Sequence, residues 1–130
     1  MASPTSESYE TMLPQTRAIV AAAAYSLMSG KKVAGVHDHA TGKDLLIAAE
    51  ARGERVQVFD GDRSATFGGT LPELFDGEGQ AFVSLNLDGT TAQGYDRTSS
   101  THFSLTRTDS IVQLYDHGRE VWFAFTIQVA

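Results

Sequence analysis

From residue 33 onward, apolar and polar positions alternate with a period of two, the pattern of strands that bury one face. A repeat organises this alternation. Five times an Asp follows an aromatic residue or His, at His37–Asp38, Phe59–Asp60, Phe75–Asp76, Tyr95–Asp96 and Tyr115–Asp116, at intervals of 22, 16, 20 and 20 residues. Seven residues beyond each Asp stands an apolar residue: Leu45, Phe67, Val83, Phe103 and Phe123. A constant loop within each unit and variable joins between units is what a repeated β-hairpin produces. Two residues before each Asp lie Val36, Val58, Leu74, Gly94 and Leu114, and four before it Ala34, Val56, Pro72, Ala92 and Val112, which makes one face apolar. The opposite face carries the rings, and three residues before each Asp it carries Gly35, Gln57, Glu73, Gln93 and Gln113. Asp88–Gly89 is a strong two-residue turn signal, Thr108–Asp109–Ser110 a weaker one, and Gly53 and Gly68–Gly69 with Pro72 mark the other joins. Pro72 lacks a ladder donor, so irregularity is expected first in the third unit.

Before the repeat the period changes. QTRAIVAAAAYSLM, from Gln15 to Met28, is rich in helix formers; Pro14 fits a first turn, and Ser29, Gly30, Lys31 and Lys32 form a stop. The spacing therefore predicts a loose segment over 1–13, a helix over 14–29 and a hairpin-repeat β domain over 33–129, within one domain. The apolar sheet face needs a cover, and the alanine-rich helix is the segment suited to supply it. The expected fold is mainly β with one N-terminal α-helix. About five β-hairpins form an antiparallel meander that curves into a sheet or small barrel, with the helix packed on or plugging its apolar side.

The aromatic–Asp turns at Phe59–Asp60, Tyr95–Asp96 and Tyr115–Asp116, each leading into a short apolar strand, resemble those of the small bacterial hairpin-repeat proteins called β-flowers. The likeness covers about the last hundred residues and implies a hairpin-repeat architecture. It implies no activity.

Charge and composition narrow the partners. Sixteen acidic against ten basic residues give a net charge of −6, whose field repels phosphate backbones, so nucleic acid is not expected. The chain has no cysteine, which removes disulfides, thiolate metal sites and cysteine nucleophiles, and suits a reducing compartment. The apolar run from Ala18 to Tyr25 is too short for a bilayer, and Glu7 and Glu10 precede it where a signal peptide would carry bases. A cytoplasmic protein without a membrane partner is the expectation. Open sheet edges and exposed rings would favour self-association into a homo-oligomer.

No nucleophile elbow, phosphate loop or dinucleotide fingerprint is present. The five aspartates fit two readings, a ring of cation ligands or the turn chemistry of Asp, and the second accounts for their fixed place in each unit. His37 and His39 share a strand face, and His117 occupies in its unit the place of His39, which makes these three the candidate metal ligands. Rings beside amides suit carbohydrate or peptide surfaces, so Phe59, Gln93, Tyr95, Gln113, Tyr115 and Trp122 are the candidate ligand-binding residues, set against plain cross-strand stabilisation. The functional expectation is a noncatalytic binding or protein-interaction module without a cofactor, its partner a protein or a small molecule. The alternative is a small barrel that binds an apolar ligand, or carries out metal-assisted hydrolysis at the histidines.

Overall fold

A computed structural model describes residues 12–130. The segment expected to be loose lies, up to residue 11, outside the described residues. Helix α1 spans Pro14–Ser29 and ends on Gly30 with φ 74°, whose N–H returns to the Ser26 carbonyl. Eleven strands follow: β1 Val33–Asp38, β2 Lys43–Leu45, β3 Ile47–Arg52, β4 Arg55–Asp60, β5 Ala65–Thr70, β6 Glu73–Asp76, β7 Ala81–Asp88, β8 Thr91–Asp96, β9 Thr101–Thr108, β10 Ile111–Asp116 and β11 Val121–Val129. Strand β1 pairs antiparallel with both β2 and β3, each strand from β3 onward pairs antiparallel with the next, and β11 pairs with β1 (Val36 opposite Ile127), so the meander closes. Strands β2 and β3 are one stave interrupted at Leu46, whose N–H is taken by the Asp62 carboxylate. The result is a ten-stave barrel.

Closure removes both free edges, and with them the edge-strand route to self-association set out above. The helix does more than cover a face. Every residue from Thr16 to Ser26 is buried, so α1 occupies the barrel interior, and from Ala18 to Tyr25 it is apolar on every side, with little amphipathic bias. Alanine suits that place because it keeps the helix slim enough to be enclosed: Ala21 to Ala24 are fully buried. Val36, Val56, Leu74, Val83, Leu85, Leu105, Leu114 and Phe125 surround it in one core. At Gly94 an added Cβ would run into the Phe103 ring, so the glycine in this inward slot is what admits Phe103. Among the described residues no helix is long and apolar enough to cross a membrane.

The five bends fall immediately after the repeated aspartates, at one end of the barrel, and each spans four residues. The Asp carboxylate accepts the N–H of the residue two further on: Ala40, Asp62, Glu78, Thr98 and Gly118. The fourth bend residue takes a left-handed φ every time, at Gly42, Ser64, Gln80, Ser100 and Glu120. The recurrence of Asp is therefore accounted for by the turn itself. The joins at the other end are two-residue turns: Gly53–Glu54, Leu71–Pro72, Gly89–Thr90 and Asp109–Ser110. The third of these sits one residue beyond the expected Asp88–Gly89 pair, because Asp88 is still laddered to Thr91. Pro72 lies within its turn rather than within a strand, and the irregularity of its unit is a β6 of only four residues.

The inward face expected four residues before each Asp fails at two positions: Pro72, which is exposed in its turn, and residue 34. Residue 34 was placed on the inward face, but the register of β1 against β11 shifts between Val33 and Gly35, and Ala34 is exposed on the outside. The bulge inserts one residue and turns its side chain over.

Asp96 is enclosed in its bend, accepting from Thr98 N and Ser99 Oγ, and burial raises its pKa against the opposing pull of these hydrogen bonds. A carboxyl whose pKa is raised on folding binds its proton more tightly in the folded state, so its contribution to stability improves as pH falls through the folded value. Asp96→Asn keeps an acceptor for Thr98 and removes the desolvated charge. The variant is expected to match or exceed the parent in urea unfolding at pH 7 and to lose this component of the acid-side gain. A large loss of stability at pH 7 would refute the assignment.

Candidate outer-face binding groove

On the outside of the barrel, the residue before each Asp pairs across its hairpin with the residue six after it. The pairs are His37–Asp44, Phe59–Thr66, Phe75–Phe82, Tyr95–His102 and Tyr115–Trp122. They form a belt just below the bends. Ring contacts hold it together: Phe75 meets Phe82 at 5.2 Å, Tyr95 meets His102 at 4.6 Å and Tyr115 meets Trp122 at 4.9 Å between centroids. Much of this apolar surface stays in water, with Phe59 48%, Phe82 46% and Trp122 56% exposed.

Next to each leading ring, the neighbouring hairpin presents a small side chain. Ala48 pairs with Phe59, Gly68 with Phe75, Ser84 with Tyr95, Ser104 with Tyr115 and Thr126 with His37. A cleft between adjacent hairpins therefore recurs five times around the barrel. Its fate depends on the residue after the Asp, which leans over the preceding hairpin. His39 Nε2 lies 2.7 Å from Thr126 Oγ1, His117 Nε2 lies 2.8 Å from Ser104 Oγ, and Arg97 reaches across β7 to donate to Glu73 at 2.7 Å. These three clefts are covered. At the other two, the covering residue is Gly61 or Gly77.

The two uncovered clefts merge into an open groove of about 930 Å³ over β1 and β3 to β6. Its floor is Ala34, Ala48 and Gly68, and Phe59, Phe75 and Gln57 stand along it. Gly68 permits the close approach of β4 and β5 beneath, since a Cβ there would meet the Val56 carbonyl. At the two-residue-turn end the groove meets Lys32, Glu50 and Arg55, and a smaller hollow adds Arg52. Arg52 and Arg55 are directly opposite each other in the β3–β4 ladder. Among the described residues, Glu50 is the one side-chain carboxylate lining this end, 4.0 Å from Lys32 Nζ and 3.9 Å from Arg52 Nε.

Of the six ligand-binding candidates from sequence, Phe59 alone lines the groove. Gln93, Tyr95, Gln113, Tyr115 and Trp122 lie on the arc from β8 to β11, where the Tyr115 and Trp122 rings meet at a tilt and Gln93 and Gln113 face Ser104 and Ala124 across the ladder. Gln57, Gly68 and Phe75 were visible in the repeat but were not singled out. The missed signal was the alternation of Gly61 and Gly77 with His39, Arg97 and His117 at one repeat position.

The candidate metal ligands are engaged elsewhere. His37 Nδ1 is 2.8 Å from Asp44 Oδ1, and its ring meets that of His39 edge-on at 5.1 Å. His117 packs edge-on against Tyr115 and bonds Ser104. Among the described residues, no three of His, Asp and Glu are grouped to hold a metal ion, so His37, His39 and His117 do not converge. No protein-family model, curated protein or solved structure matches the chain, and the chemistry of the groove is read from its own residues.

Proposed function

We propose that the protein is a noncatalytic binding or protein-interaction module that engages its partner on the outer face of the barrel, and that it is akin in architecture to the β-flower proteins. One observation carries the reading: two of five equivalent clefts are left uncovered, with exposed rings at Phe59 and Phe75, whereas their three counterparts are closed by side chains. A concavity of several hundred Å³ with rings and one convergent amide is the form ligand sites take. Groups suited to catalysis are engaged in structure: the bend aspartates accept from bend N–H groups, and His37, His39 and His117 are bonded to Asp44, Thr126 and Ser104. The interior, where an apolar ligand would lie in the alternative reading, holds α1.

Amide-resolved NMR with millimolar phenol as a ring probe tests this. Shifts are expected at Gln57, Gly68, Gly69 and Phe75 and not at core positions such as Leu85, Leu105 and Leu114. Perturbation centred on the core, or none at the groove, would overturn outer-face binding.

A further inference from the structure

We infer that the groove recognises an extended acidic peptide segment of a partner protein, with an aromatic or large apolar side chain seated between Phe59 and Phe75 and carboxylates at Arg55, Lys32 and Arg52. The inference rests on the outer-face reading above and specifies its ligand. Two independent features carry it beyond the rings.

The first is charge placed against the trend of the molecule. The chain is net −6, yet among the described side chains the two-residue-turn end of the groove, which Ala130 also lines, gathers Lys32, Arg52 and Arg55 against Glu50, which lies near Lys32 and Arg52 and leaves Arg55 the cation it does not reach. Arg52 and Arg55 also face each other directly across the ladder. Like charges in that relation repel and weaken a hairpin, and an anion bound between them would relieve the repulsion. A neutral glycan would use the rings and leave this end unanswered.

The second feature is length. Phe59, Gln57 and Arg55 alternate along the outer face of β4, so the ring end and the basic end are four residues, or roughly 13 Å, apart at strand rise. That separation suits a partner whose apolar and acidic side chains are themselves a few residues apart in an extended chain. Because the barrel is closed, the partner cannot add a strand at an edge. Recognition therefore depends on side chains and on the Gln57 amide.

The test compares two blocked synthetic pentapeptides, acetyl-Phe-Gly-Glu-Gly-Glu-amide and its Gln-for-Glu counterpart, by amide shifts of the full chain. The acidic peptide is expected to shift Gln57, Gly68, Gly69 and Phe75, to bind roughly tenfold more weakly to Arg55→Glu, and to lose about fivefold in affinity from 50 to 300 mM salt. Phe75→Ala, a change at an exposed ring, and Gly61→His, which supplies the missing cover, should each abolish the groove shifts. An added Cβ at Gly61 meets Leu46 at 3.1 Å, so the Phe75 variant is the decisive one if Gly61→His folds poorly. Equal binding of the Gln peptide would overturn the acidic partner while leaving the ring groove intact. Failure of both peptides would overturn peptide recognition altogether, and the phenol titration decides the outer-face reading separately. Shifts confined to the Tyr95–Trp122 arc would overturn the placement.

Discussion

Removal of residues 1–30 is expected to leave a chain that no longer folds cooperatively, aggregates as the monomer fails, and binds a hydrophobic dye. The helix is the centre of the core, with Ile19, Val20, Tyr25 and the Ala21–Ala24 run all removed from water inside the barrel. A fully buried large side chain contributes ~2 kcal/mol and an extra buried carbon ~0.8 kcal/mol, so the apolar contribution of α1 is on the order of 10 kcal/mol. That equals the whole net stability of a domain this size, about 5–15 kcal/mol. The loss is also structural, because the strands cannot collapse onto the vacated axis without breaking the β1–β11 closure. Dye fluorescence and sedimentation of the truncated chain are the measurements. A soluble monomer that unfolds cooperatively in urea would show that the strands sustain the barrel alone.

The same helix shows how far the sequence could be read. Its bounds, its cap at Gly30 and the five bends were all legible, because capping and Asp-initiated turns are decided by a few adjacent residues. Closure was not, since β1 and β11 are joined by geometry across almost the whole repeat domain and both read as ordinary half-buried strands. The outward turn of Ala34 was hidden for a related reason: a bulge is a relation between two strands, and neither strand alone announces it. The groove lay in between. Phe59, Phe75 and the glycines were all visible at fixed repeat positions. That Gly61 and Gly77 stand where His39, Arg97 and His117 act as covers depends on one hairpin leaning over the last, shown by bonds such as Gly77 N to Thr66 O and His117 N to His102 O. Without that lean, the glycines read only as turn residues.

The bend aspartates, equivalent in sequence, are expected to differ sharply in energetic weight, and Asp116 should weigh most. Its carboxylate is fully buried and accepts from Gly118 N at 2.8 Å and Arg119 N at 3.2 Å. Asp116 and Asp38 also supply the field that opposes the desolvation of Arg17, whose pKa burial lowers. The Arg17 guanidinium lies 3.7 Å from the Phe123 ring centroid and donates to the Met12 carbonyl, at the bend end of the barrel where α1 begins. Asp116→Ala is expected to lose about 3 kcal/mol, since two bend N–H groups are orphaned at roughly 1–3 kcal/mol each and Arg17 loses part of the field that offsets its burial. Asp76→Ala, at a partly exposed bend, should lose only ~1 kcal/mol. Arg17→Met should lose ~1 kcal/mol or more, through its hydrogen bond to Met12 and its packing on Phe123. The discriminating quantity is the coupling: the Arg17→Met, Asp116→Asn pair should be more stable than the sum of its single losses implies, by at least ~1 kcal/mol. Urea unfolding of the four proteins measures it directly. Strict additivity would mean that Arg17 and Asp116 contribute independently of each other.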